Sequence, residues 1–131
     1  MKKKTKMKPS DFFTRTPSNT GVRMPLLDPI TDEPTQEWLQ CLGIDSDVFQ
    51  DALSTKAREN LRIIALPEGE QDAAQKKAQT ELVASLVEDW SFDDFSLEAV
   101  TELLHESPSI KRQVDRFVND LENFIKKPSE N

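Results

Sequence analysis

One cysteine, one histidine, three glycines and no tyrosine are all that 131 residues supply of these types. Each scarcity removes a class of protein. A lone Cys41 closes no internal disulfide, so the chain suits a reducing cytoplasm. Gly21, Gly43 and Gly69 stand apart and build no phosphate-cradling loop, and no serine sits in a nucleophile elbow. His105 and Cys41 fall in different regions, far from the roughly four ligands that a zinc site gathers. No catalytic residue, metal ligand or cofactor site is therefore expected, and the chain does not read as an enzyme. No apolar run approaches the ~18 residues that span a bilayer, and "MKKKTKMK" leads into "PSDFFTRTPSNTG" rather than an apolar signal core.

Charge is plentiful. Charged residues make up 31% and hydrophobic ones 36%, which leaves material for one modest core. The first eight residues hold five lysines and no acid, and the other 123 hold 12 basic against 24 acidic residues. A body at −12 repels phosphate backbones, so neither nucleic acid nor a membrane is expected as partner. The basic start over residues 1–20 has two readings, a contact with an anionic surface such as RNA or a membrane and a flexible, solubilising arm, and the second is the one expected here.

Residues 21–45 are rich in turn formers. Pro25, Pro29 and Pro34 exclude a helix there. "GVRMPL" and "TQEWLQCLGI" alternate well enough to be two strands of a β-hairpin joined by the loop from Asp28 to Pro34. Residues 46–127 then turn helical, with 128–131 as a tail. Asp45 or Ser46 caps a first helix whose stripe of Val48, Phe49, Ala52, Leu53, Ala57, Leu61 and Ile64 should face the core. A second helix is predicted from about Glu70 to Trp90, with Leu82, Val83, Leu86, Val87 and Trp90 on one face. Ser96 caps a third, with Phe95 and Val100 placed as a hydrophobic staple. Ser107 and Pro108 open a fourth, in which Ile110, Val114, Phe117, Val118, Leu121, Phe124 and Ile125 keep helical spacing. The expected fold is mainly α: a bundle of about four helices with an N-terminal β-hairpin and a basic arm. Its expected core is Trp90, Phe95, Val100, Leu104, Val114, Phe117 and Leu121.

Four aromatics are candidates for contact with a partner: Phe12 and Phe13 near the start, and Trp90 and Phe92 in "EDWSFDDF". Phe12 and Phe13 have a second reading, as anchors onto the domain's own core. Trp90 has a structural one, as the corner between two helices.

The order of these segments resembles the tail assembly chaperones of long-tailed bacteriophages and prophages. The resemblance rests on "DFFTR", "PLLDP", "GIDSDVF", "WSF", "LL" before "SP", and the helix "IKRQVDRFVNDLENF". It runs from about Asp11 to Lys127. It implies a protein without catalysis that binds the long, apolar tape measure protein and keeps it soluble. Such a protein works in the cytoplasm of the infected or lysogenic host and is absent from the mature virion. The family also implies a longer frameshifted form that recruits the tail tube protein. The pair Lys126 and Lys127 permits the slippery run A AAA AAG. A second class remains open: a small acidic regulatory or adaptor module, such as an anti-activator or DNA mimic. Its acids, however, are interspersed with lysine and arginine, as in "IKRQVDR", rather than arrayed along one face.

Overall fold

The computed structural model describes residues 6–125. Two segments of alternating apolar residues, β1 (Val22–Leu27) and β2 (Pro34–Cys41), pair antiparallel from Val22 opposite Cys41 to Leu27 opposite Pro34. The loop between them is an Asx turn: the Asp28 carboxylate accepts from the Ile30 and Thr31 N–H groups at 2.8 and 3.1 Å. Asp32 takes φ 65° to close it. Pro25 lies at the outer edge of the sheet, where its missing N–H breaks no ladder.

A third strand, β3 (Val87–Trp90), pairs antiparallel with the other side of β2. This corrects the sequence-based expectation in two ways. The second helix, α3 (Glu68–Ala84), ends six residues before Trp90, and the fold is α+β rather than a helix bundle carrying a hairpin. Leu82, Val83, Leu86, Val87 and Trp90 suit a helical stripe, but a short apolar run does not distinguish helix from strand. What decides is the bare side of β2, whose backbone groups need partners. β3 supplies them, and the Leu42 N–H donates to the Leu86 carbonyl at 2.8 Å just beyond the ladder.

Around the sheet lie α1 (Arg15–Ser18), α2 (Asp47–Ile63), α3, α4 (Leu97–Glu106) and α5 (Pro108–Asn119). Serines at positions 46, 96 and 107 cap α2, α4 and α5 by accepting from Phe49, Ala99 and Ile110 N–H groups. The core joins the sheet's Met24, Leu39 and Cys41 to Val83, Val100, Leu104, Val114 and Val118 from α3, α4 and α5. Gln113 of α5 grips the irregular end of β1, accepting from Leu27 N–H at 3.0 Å and donating to its carbonyl at 3.4 Å.

Three other expectations change. The fourth helix stops at Asn119 instead of running to Ile125, because Asn119, Asp120 and Asn123 turn their side chains onto nearby backbone. Phe124 then folds back edge-on to Phe117, centroids 5.7 Å apart, and Leu121 is half-buried outside the core cluster. Phe95 is 38% exposed and is not core, whereas Val100, Leu104 and Val114 are. Finally, the arm is not loose throughout. Residues 1–5 lie outside the described residues, as do Lys126, Lys127 and the tail, but Pro9–Phe12 form a 3-10 turn and α1 follows. Gly43 lets α1 approach: a Cβ there would meet the Ser18 Oγ at 2.7 Å and its Cβ at 2.9 Å.

Candidate binding surfaces

The segment after β3 turns sharply. Ser91 fastens its start, with its hydroxyl accepting from the Trp38 N–H at 2.9 Å and donating to the Glu37 carboxylate at 2.7 Å. Asp94, at φ 54°, finishes the turn before Ser96 caps α4. Between these fixed points Trp90 gathers two rings edge-on, Phe92 at 5.3 Å and Phe95 at 5.8 Å between centroids. Trp90 is half-buried and packs against the core. Phe92 is 42% exposed, and Leu97 in the first turn of α4 is exposed beside them in sequence. The corner therefore holds and presents at once: its tryptophan points inward and its phenylalanines offer edges to solvent.

Phe12 and Phe13 are 66% and 65% exposed, so they do not anchor onto the core. Among the described residues no ring contact joins them to the Trp90 cluster. The four candidates thus occupy two separate places, one on the segment before α1 and one at the corner after β3.

A surface that the sequence reading missed lies on α2. Leu53, Ala57, Leu61 and Ile64 belong to the stripe expected to face the core, yet all four are exposed, Leu61 and Ile64 by 69% and 61%. The stripe itself was legible, but nothing in a periodicity says whether it faces a core or a partner.

Charged walls and single exposed apolar side chains such as Ile30 make up other parts of the surface. A groove of about 570 Å³ between α3 and α4 is walled by Lys76 and Lys77 on one side and Glu98, Glu102 and Glu106 on the other, with exposed His105 at its lip. On the outer side of the sheet the Arg23 guanidinium stacks 3.9 Å above the Trp38 ring. Cys41 is fully buried, and burial first, then the charge of Glu88, pushes its thiol up to about 12. At neutral pH it is a protonated, inaccessible core group rather than a nucleophile. No group of three or more His, Cys, Asp or Glu able to hold a metal occurs among the described residues. No helix among them is long and apolar enough to cross a membrane.

No family model, curated protein or solved structure matches the chain.

Proposed function

We propose that this chain is a tail assembly chaperone of a long-tailed phage or prophage, binding the tape measure protein and keeping it soluble during tail assembly. The observation that carries this reading is the aromatic corner. Phe92, Phe95 and Leu97 offer apolar surface from a turn fixed by hydrogen bonds, on a molecule whose formal charge is −7. An apolar helical partner needs such a combination: side chains to dock against and surrounding charge to keep the complex dissolved. The segment order described above adds the resemblance. On this reading the protein works in the host cytoplasm without cofactor, and Phe12 and Phe13 form a second, separate contact. A frameshifted longer form, slipping at Lys126 and Lys127, would recruit the tail tube protein.

The test is co-expression with a tape measure protein of a long-tailed phage, taken from the reading frame beside this one if it encodes such a protein. The expected result is a soluble complex that survives 1 M salt, where the Debye length falls to ~3 Å. Phe92→Ser should weaken capture by about tenfold, the loss of roughly 1.4 kcal/mol of contact, while the fold is kept because the ring is already part-exposed. A tape measure protein that stays insoluble at every salt concentration, or capture unchanged by Phe92→Ser, rejects the reading.

A further inference from the structure

α2 turns Phe49 and Ile63 inward and leaves a second apolar stripe in water. Ala52, Thr55, Lys56 and Glu59 face Ala78, Glu81 and Leu82 of α3 across a shared cleft, and Ile63 is the helix's one buried apolar residue. Lys56 even reaches over to donate to the Gln79 side chain at 3.0 Å. Leu53, Ala57, Leu61 and Ile64 lie on another side, exposed. A contiguous apolar ridge over three turns is not a neutral feature of a soluble surface. It stands on its own side chains and does not depend on the proposed function.

The order of residues along the ridge identifies the occupant. Leu53 and Leu61 lie four residues before and after Ala57. Turned end for end about Ala57, Leu53 of each copy meets Leu61 of the other, with the small residue at the crossing where two backbones come closest and Ile64 at the seam's end opposite Gln50. A two-fold interface requires that self-complementarity. Charge sets the direction. The start of α2 holds Asp51 and its later half holds Arg58 and Arg62, whereas Asp47 is already paired with Arg15 and Lys56 reaches across to Gln79 of α3. Antiparallel copies lay the acidic end beside the basic end and oppose the two helix dipoles favourably, whereas parallel copies align like with like. These charges flank the seam rather than enter it, so they orient the pair through their field.

We propose that α2 is a dimerisation element, by which two copies of this chain pair antiparallel through Leu53, Ala57, Leu61 and Ile64 with Ala57 at the two-fold axis. One helix per copy covers less than the ~800 Å² per partner of a standard interface. The dimer therefore forms with a dissociation constant of roughly 10 to 100 µM, weaker than larger interfaces reach.

The test uses the full chain alone. Sedimentation velocity between about 1 and 200 µM should show the mass rising from 14.9 kDa towards twice that value. Leu61→Glu should remain monomeric over the same range with an unchanged circular dichroism spectrum, since the side chain is already in water. Cross-linking fixes the geometry. Ala57→Cys should oxidise to a covalent dimer, because the axis brings the two copies of that position together. Asp51→Cys should not, and the native Cys41 is buried and silent. A wild type that stays at 14.9 kDa throughout, Leu61→Glu dimerising as well as wild type, or equal cross-linking at positions 51 and 57 would each overturn the proposal. Should the chain be monomeric while Leu61→Glu abolishes capture of the tape measure protein, the ridge belongs to that partner and not to a second copy.

Discussion

Trp90 carries two opposed contributions in one side chain. Its ring stacks edge-on with Phe92 and Phe95, while its indole Nε1–H is buried with no acceptor among the described residues. Ring packing stabilises, and an unmatched buried donor costs about 1–3 kcal/mol. Trp90→Ala removes both and leaves a hole under the corner. Because the residue is half-buried, the loss in urea unfolding should sit at the low end of the core range, about 3 kcal/mol. Trp90→Phe keeps a ring and deletes the unmatched donor, so it should lie within about 1 kcal/mol of wild type. If the two substitutions cost the same, the indole nitrogen has a partner after all and the ring packing is not the main term.

At the scale of elements, the link that the sequence hid is the one between α1 and α2. Asp47 takes both Arg15 Nε and Nη2, at 2.6 and 2.8 Å, and exchanges hydrogen bonds with Asn19. The Arg15 hydrogen bond is the main reason its carboxyl is held below the usual range. All these groups are in solvent, so the clamp orders a segment rather than holding the domain together. Asp47→Ala should accelerate tryptic cleavage after Arg15 by at least about threefold, leaving the α2 signal in circular dichroism intact. With a depressed native pKa, the clamp is complete above the ordinary carboxylate range near pH 4 and is lost as pH falls through the native value. An NMR titration of the Arg15 Nε–H reads that loss directly. Cleavage no faster in Asp47→Ala would mean that the close fit of Ser18 on Gly43 holds α1 without it.

For the whole molecule the decisive quantities are charge and exposed apolar area. At −7 and pH 7 the copies repel, which limits contact between the α2 ridges and the aromatic corners to specific pairing. Near the sequence pI of about 4.8 that repulsion vanishes while the apolar faces remain. Light scattering should then show a reversible solubility minimum within about one pH unit of that value. Combining Leu61→Glu with Phe92→Ser should shrink the effect beyond what their small change in pI explains. A chain that stays monodisperse through its pI would show that neither face is adhesive.

Local chemistry was decided by the sequence alone. Ser46, Ser96 and Ser107 cap the helices that follow them, and the alternation in "GVRMPL" and "TQEWLQCLGI" forms two paired strands, because caps and alternation act over a few neighbouring residues. The aromatic corner was legible too, as three rings in one window. Its fastening by Ser91 to Glu37 and Trp38 was not, since those partners are more than fifty residues away. Tertiary structure decided the rest. Val87 to Trp90 became a strand because β2 had unpaired backbone on that side, and Leu53, Leu61 and Ile64 stayed outside because α3 packs on another side of α2. An apolar stripe specifies that something must cover it; only the arrangement of the remaining chain settles whether that is the molecule itself or another one.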